Sequence, residues 1–254
     1  MKSLVLEKAN LYKGNLILIN KTHAVSDEFI DNDFVSISSD YPTILINHEA
    51  AVMYAKLIAS LKSAQNIVPV SGYRTFAEQQ KIYYDSMAEN GEEFTSNYVA
   101  LPNHSEHQTG LAIDVGIAKE DIDFIRPEFP YTGISQKFRE KAPMYGFIER
   151  YPCGKTDITG IAHEPWHFRY VGFPHSYVIK QKEITLEEYI EYIKGFSYNK
   201  SHLQLKIDEQ FFEIFYVEAS SDFPIYLQIS SNDRYQVSGD NATGFIVTIW
   251  RIDG

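Results

Sequence analysis

The 254-residue sequence contains one cysteine, Cys153, so it can form neither a disulfide bond within the chain nor a cysteine-rich zinc finger. It has no apolar run that approaches the ~20 residues of a membrane span. Basic residues are also scarce: 23 Lys and Arg stand against 34 Asp and Glu, a formal net charge of −11. Because nucleic acids and anionic membranes are bound through clustered basic residues, we expect neither as a partner.

Hydrophobic residues make up 44% of the chain, which is enough for a hydrophobic core and too many for a disordered protein. The length suits one mid-sized domain with a small appendage. Near the N-terminus, Glu7 and Lys8 interrupt the apolar stretch too early for the core of a signal peptide. We therefore expect the protein to remain in the cytoplasm.

Capping signals mark the helices of the first three quarters of the chain. Asn47 is a good N-cap, and Thr75–Glu78 and Thr185–Glu188 each form a capping box. Gly91 and Gly146 follow predicted helix ends. The predicted helices are 48–63, 76–89, 135–145 and 185–195, the predicted strands are 16–19, 67–70, 111–115 and 166–171, and residues 91–103 are predicted to form a loop.

After about Asn199 the pattern changes to short strands separated by turns, without helical periodicity. We therefore divide the chain into a domain of residues 1–198 and a small β-rich extension of residues 199–254. Dimerisation is the role that we favour for the extension, while shielding of a cleft, or no role, stay open. Its predicted strands are 203–207, 211–218, 225–229 and 244–251.

Three short segments carry residues suited to hydrolysis at a metal centre: Ser71-Gly-Tyr-Arg74, Ser105-Glu-His-Gln-Thr-Gly-Leu-Ala-Ile-Asp114 and Glu164-Pro-Trp-His167. Asp114 interrupts an apolar strand, and its carboxylate is expected to face water, a cation or a metal, because an unpaired buried charge is costly. Glu164 and His167 are three positions apart, so they would face opposite sides of a regular strand. If both serve one site, a bulge or turn is predicted near Pro165.

Two imidazoles and one carboxylate, from His107, His167 and Asp114, suit a catalytic zinc ion with one open coordination position. Glu164 is then free to act as general base. Arg74, between a strand and a capped helix, is suited to stabilising an oxyanion. Taken singly, each of these residues has a structural explanation, such as a packed imidazole or a surface salt bridge. The remaining histidines lack matching partners and are not expected to bind metal: His23, His48, His104, His163, His175 and His202.

The combined pattern resembles the zinc D-Ala-D-Ala peptidases of the VanX, VanY and VanXY type, in particular the bifunctional VanXY type. It reads Ser105-x-His107-x-x-Gly110-x-Ala112-x-Asp114, followed by Glu164-x-Trp166-His167. The similarity extends from about residue 16 to about residue 195. It implies an α+β fold with a central antiparallel sheet and flanking helices, to which the C-terminal residues add a small all-β appendage.

The resemblance also implies a function and a set of site residues. The substrates would be the D-Ala-D-Ala dipeptide and the peptidoglycan precursor pentapeptide, from which the terminal D-Ala is removed. Both reactions support resistance to vancomycin, because the drug binds that terminus. The loops at 91–103 and 119–133 are expected to set the ratio of the two activities.

The resemblance implies a role for each of seven residues. The implied roles are zinc ligation, one ion per chain, for His107, Asp114 and His167, general base for Glu164, oxyanion stabilisation for Arg74, and substrate binding for Ser105 and Gln79.

Two other functions fit the same scaffold. An L,D-carboxypeptidase or a peptidoglycan endopeptidase would use the same metal ligands, and residue spacing alone does not distinguish D- from L-alanine. A zinc-containing binding protein, as in hedgehog signalling domains, would keep the metal without peptidase activity. The presence of both Glu164 and Arg74 favours catalysis.

Overall fold

The computed structural model describes residues 1–29 and 33–251. These residues form two compact units. The central unit comprises residues 19–25 and 33–185, and the terminal unit comprises residues 1–18, 26–29 and 186–251. Helices occur together with antiparallel sheets, which confirms the predicted α+β class. In this part of the chain no helix is both long and apolar enough to cross a bilayer.

The regular elements are numbered in chain order. The strands are β1 (Lys2–Leu6), β2 (Phe34–Ser38), β3 (Tyr41–Asn47), β4 (Ile67–Ser71), β5 (Ala112–Ile117), β6 (Phe147–Tyr151), β7 (Glu164–Tyr170), β8 (Leu203–Ile207), β9 (Gln210–Glu218), β10 (Ile225–Ile229), β11 (Arg234–Gly239) and β12 (Gly244–Arg251). The helices are α1 (His48–Ala59), α2 (Phe76–Tyr98), α3 (Gly133–Lys141), α4 (Thr156–Thr159), α5 (His175–Lys182) and α6 (Leu186–Lys194).

The central unit contains a four-stranded antiparallel sheet with the strand order β4-β5-β7-β6. Ile113 on β5 and Phe168 on β7 are fully buried. The ring of Phe168 packs edge-on against Phe129 and against Phe138 of α3, with centroids 5.8 and 4.8 Å away. Because aromatic side chains bury large apolar areas, this cluster fixes the sheet against α3.

The predicted caps of the first two helices are confirmed. The Asn47 side chain accepts hydrogen bonds from the backbone N–H groups of Glu49 and Ala50 at the start of α1. At the start of α2, the Thr75 hydroxyl accepts from the Glu78 N–H, while the Glu78 carboxylate accepts from the Thr75 N–H. Both helices therefore begin where the sequence places them, because these side chains satisfy N–H groups that lack partners in the helix.

The predicted end of α2 is wrong, and the predicted loop at 91–103 is confirmed only for residues 99–103. Gly91 does leave the helical conformation, with φ 81° and ψ 175°, but the chain resumes the helix and continues to Tyr98. The hydroxyls of Ser86 and Thr95, both buried, lie 2.8 Å apart across the break. Tertiary contacts therefore extend the helix beyond a residue that usually ends one.

Two other predictions need correction. Residues 16–19 are buried but form no strand; the N–H of Leu16 donates to the Ser238 hydroxyl and that of Leu18 to the Asp240 carbonyl. A short apolar run thus indicates that its residues are buried, but it does not indicate whether they form a strand. The helix predicted at 135–145 is α3 followed by a 3-10 turn over residues 142–145, and Gly146 ends it with φ 86° as expected.

In the terminal unit, β11-β12-β9-β8 form one antiparallel sheet, and β1 pairs with β10 in a second. The four strands predicted after residue 199 are present, and β11 was missed. The first 18 residues and α6 belong to this unit, so it combines both ends of the chain. Ten buried apolar residues form its core: Leu4, Leu6, Leu11, Phe215, Val217, Leu227, Ile229, Phe245, Val247 and Ile249.

We expect the Asn47→Ala variant to lose about 1 kcal/mol of unfolding free energy, since two N–H groups of α1 lose their acceptor. Denaturant unfolding followed by circular dichroism measures this loss. The Asn47→Asp variant keeps an acceptor and serves as the control. Equal stability of the Ala variant and the unchanged protein would contradict the assignment of the cap.

Candidate active site

Asp114 and His167 are direct cross-strand partners on β5 and β7, the two middle strands of the central sheet. Side chains at paired antiparallel positions point to the same face and lie close together. His167 Nδ1 is accordingly 2.8 Å from Asp114 Oδ1. Both side chains are almost completely buried. The pairing of the two strands is therefore sufficient to bring the carboxylate and this imidazole together.

His107 reaches the same carboxylate from a single 3-10 turn, Glu106–Thr109, that precedes β5. The turn ends at Gly110, whose φ of +67° is a conformation that favours glycine. His107 Nε2 lies 3.1 Å from Asp114 Oδ2. On its other side the ring nitrogen Nδ1 donates to the carbonyl oxygen of Gly72 at 2.6 Å. This second bond orients the ring and leaves Nε2 toward Asp114.

The three side chains fit a divalent metal ion. One donor atom from each of His107, Asp114 and His167 can be chosen so that all lie within 4.8 Å of one another. Each imidazole also has its second nitrogen close to an acceptor, Gly72 O for His107 and Glu106 Oε2 for His167. Metal-binding histidines usually show this arrangement. In residues 1–29 and 33–251 this is the one such group of His, Cys, Asp and Glu side chains.

The protonation states of His107 and Asp114 favour metal binding. Burial, assisted by the nearby Arg74 guanidinium, lowers the pKa of His107 to about 4, so the ring is neutral at physiological pH. Burial acts to raise the pKa of Asp114, but its interactions with the two imidazoles outweigh this effect and hold that pKa well below its usual range. A neutral imidazole and an ionised carboxylate are the forms that bind a metal ion. At His167 burial acts to lower the pKa, but the hydrogen bonds to Asp114 and Glu106 outweigh it and raise the pKa to about 9, so a metal ion would displace a proton from this ring.

Glu164 lies at the start of β7, and the predicted bulge after it is confirmed. Tyr151 of β6 is opposite Glu164 and Glu149 is opposite Phe168, so three residues of β7 occupy the space of one residue of β6. This irregularity lets Glu164 and His167 face the same cleft, with Glu164 Oε2 3.9 Å from His167 Nδ1. Burial raises the pKa of Glu164 to about 8.

Arg74 is held by a set of hydrogen bonds between β4 and α2. Its guanidinium donates to the Ser71 hydroxyl at 2.9 Å, to Gln79 Oε1 at 3.0 Å and to Asp114 Oδ2 at 3.0 Å. The amide nitrogen of Gln79 in turn donates to the carbonyl oxygen of Ala100 at 2.8 Å. The cation is therefore fixed at the edge of the three-residue group, and Gln79 connects it to the chain beyond α2.

The structure brings all seven site residues predicted from the sequence to one cleft. Phe124 and Ile125, from the segment 119–133, line it as well, and Tyr98 contributes from the second part of α2. The six remaining histidines lie outside this group; His163, for example, is 2.6 Å from the Tyr131 hydroxyl. The predicted residues that line the cleft are Arg74, Gln79, Ser105, His107, Asp114, Glu164 and His167.

Sequence reasoning missed three charged residues whose side chains have no exposed surface: Glu106, which lines the cleft, and Arg150 and Arg169, which do not. Arg169 lies in β7 between the buried Phe168 and Tyr170, whereas Arg150 lies in β6 directly after the charged Glu149. The argument used for Asp114, a charge that interrupts an apolar strand, would have identified Arg169.

The sequence comparisons match proteins that are named as D-alanyl-D-alanine carboxypeptidases. The family model described as VanY, D-alanyl-D-alanine carboxypeptidase, matches residues 43–173. The bifunctional D-Ala-D-Ala dipeptidase and D-Ala-D-Ala carboxypeptidase VanXYC of Enterococcus gallinarum is 44% identical over 181 residues, which cover 71% of this chain and 95% of that protein.

Solved structures show the same similarity. The vancomycin resistance D,D-dipeptidase VanXYg, in complex with a D-Ala-D-Ala phosphinate analogue, is 47% identical with a TM-score of 0.95, covering 98% of this chain and 99% of that one. The vancomycin resistance D,D-pentapeptidase VanY from a VanB-type cassette, in complex with Zn(II), is 28% identical with a TM-score of 0.57, covering 69% of this chain and 98% of that one.

We expect Gly110→Ala to lower both stability and metal affinity. The new Cβ would lie 2.5 Å from the Phe34 ring at a positive φ, so the turn that carries His107 must shift. Thermal unfolding and zinc titration measure the two effects. Gly133→Ala is the matched control, because Gly133 has a similar φ of +61° and open space around it. Metal affinity that falls equally in both variants would refute the explanation.

Proposed function

We propose that this chain, because it belongs to the VanY family of D-alanyl-D-alanine carboxypeptidases, is a zinc peptidase that hydrolyses D-Ala-D-Ala and also removes the terminal D-Ala of the peptidoglycan precursor pentapeptide. The observation that supports this most is the meeting of Glu164 and Arg74 with a His–Asp–His group in one cleft. VanXYC, which is named for both activities, supports the choice of substrates. VanXYg, which is named for vancomycin resistance, supports the contribution to resistance.

His107, Asp114 and His167 would hold one zinc ion per chain. Zinc supplies Lewis acidity, which polarises a carbonyl group and makes water more acidic. The donor set suits it, since two imidazoles and a carboxylate are typical of catalytic zinc sites. The Zn(II) complex of the related VanY supports the choice of metal.

Glu164 is the proposed general base. Its carboxylate takes a proton from the water that attacks the carbonyl carbon of the substrate amide, and it returns the proton to the leaving nitrogen as the C–N bond breaks. A pKa raised by burial makes the ionised carboxylate a stronger base than an exposed one, and it lets the carboxyl group hold the proton until the leaving nitrogen takes it.

Arg74 is the proposed oxyanion stabiliser. Ser71, Gln79 and Asp114 hold its guanidinium, so its position is set before the carbonyl oxygen gains charge. Ser105 and Gln79 line the same cleft and are proposed to bind substrate, Gln79 in addition to its bond with Arg74.

We also propose three further features that were predicted from the sequence. They are the cytoplasmic location, the homodimer formed through the C-terminal extension, and the division of the chain at residues 198 and 199. Fractionation of cells and the mass of the purified protein in solution test the first two. Limited proteolysis tests the third, because a boundary is cleaved before folded units are.

The Glu164→Gln variant tests the base. We expect kcat to fall by about 10²–10⁴-fold, because the amide cannot accept the proton, while zinc remains bound. Release of D-alanine from D-Ala-D-Ala and metal analysis measure the two properties. Glu128→Gln, at an exposed glutamate outside the cleft, is the control. Full activity of Glu164→Gln would end the assignment.

Substrate class and metal dependence are tested together. We expect the purified protein to contain about one zinc ion and to release D-alanine from both the dipeptide and the pentapeptide. Chelation should abolish both activities, and added zinc should restore them. An L,D-carboxypeptidase would instead cleave the tetrapeptide that lacks the last D-alanine. A zinc-containing binding protein would cleave none of the three peptides.

A further inference from the structure

A buried ionic cluster joins Glu106, which lines the cleft, to two arginines that do not line it. Glu106 Oε1 accepts hydrogen bonds from Arg150 Nε and from Arg169 Nη1, both at 2.7 Å. None of the three side chains has exposed surface. Arg150 belongs to β6 and Arg169 to β7, while Glu106 belongs to the 3-10 turn before β5. The cluster therefore joins three separate segments of the central unit.

Such a cluster is a weak source of stability. Removing charged groups from water is costly, and the attraction between them often only offsets that cost. What the two arginines do achieve is to fix the carboxylate, since charge-assisted hydrogen bonds from two strands hold one oxygen in place.

The second carboxylate oxygen of Glu106 faces a proposed metal ligand. Glu106 Oε2 is 3.5 Å from His167 Nε2, at the long end of hydrogen-bond distance. The other nitrogen of the same ring, Nδ1, faces Asp114 at 2.8 Å. His107, the other imidazole of the group, is the next residue along the chain. Glu106 thus contacts one proposed ligand through space and holds the turn that carries the second.

We propose that Glu106 is a positioning residue of the metal centre. By accepting a hydrogen bond from His167 Nε2–H, it keeps the proton on that nitrogen, so that Nδ1, which donates to Asp114 in this structure, is the nitrogen that would bind the metal. Arg150 and Arg169 keep Glu106 in place for this purpose. The inference rests on the proposed zinc site but goes beyond it, since it assigns a role to three residues that take no direct part in the proposed hydrolysis.

Zinc affinity of the Glu106→Gln variant, measured by competition with a chelator, tests the proposal. We expect affinity to fall by about 10–100-fold, because the amide group no longer presents a fixed ionised acceptor to His167. The visible spectrum of the cobalt-substituted protein should change as well, since it reports the ligand geometry. Activity is not needed for either measurement.

Glu213→Gln is the matched control. Glu213 is a buried carboxylate of the terminal unit that pairs with a histidine, His202, and an arginine, Arg251. It should change stability without changing zinc affinity. If Glu106→Gln does not fold, the double variant Glu106→Gln, Arg150→Gln replaces it, because removing one negative and one positive charge leaves the formal charge of the cluster unchanged. The same loss of affinity is expected.

The outcomes separate the two proposals. A folded Glu106→Gln variant, or the double variant, with zinc affinity equal to that of the unchanged protein overturns the positioning role and leaves the zinc site intact. An equal loss of affinity in Glu213→Gln also overturns it, because the effect would then be general. Failure of the unchanged protein to bind zinc overturns the zinc site and the positioning role together.

Discussion

The site depends on the burial of one carboxylate, that of Asp114, between two imidazoles and a guanidinium. A buried carboxylate without partners would be strongly destabilising, and each partner here comes from a different part of the chain. His167 is placed by strand pairing, His107 by a tight turn, and Arg74 by bonds to β4 and α2. The arrangement that avoids an unpaired charge is therefore also the one that gathers the metal ligands.

Part of this site could be predicted from local rules, whereas Ser105 and Gln79 were expected only from the family resemblance. Asp114 in an apolar strand and the spacing of Glu164 and His167 each imposed a physical requirement, a partner in one case and a bulge in the other. The capped starts of α1 and α2 depend on side chains next to the helix, and they too were predicted correctly.

The features that were missed depend on distant parts of the chain. The second half of α2 follows a glycine that locally predicts a helix end, and contacts such as that between Ser86 and Thr95 decide otherwise. Nothing near residues 16–19 shows that Ser238 and Asp240 satisfy their backbone. The pairing of Glu106 with Arg150 and Arg169 likewise requires knowing that β6 and β7 are neighbours.

The pairing of β1 with β10 has a consequence for synthesis on the ribosome. Residues 2–6 emerge from the ribosome long before their partner, residues 225–229. Until that partner emerges, the apolar residues of β1 have no strand to pair with, whereas the central unit can complete its sheet once β7 has left the exit tunnel. Contacts between such distant residues form slowly. The apolar residues of β1 are therefore open to aggregation until β10 has been translated.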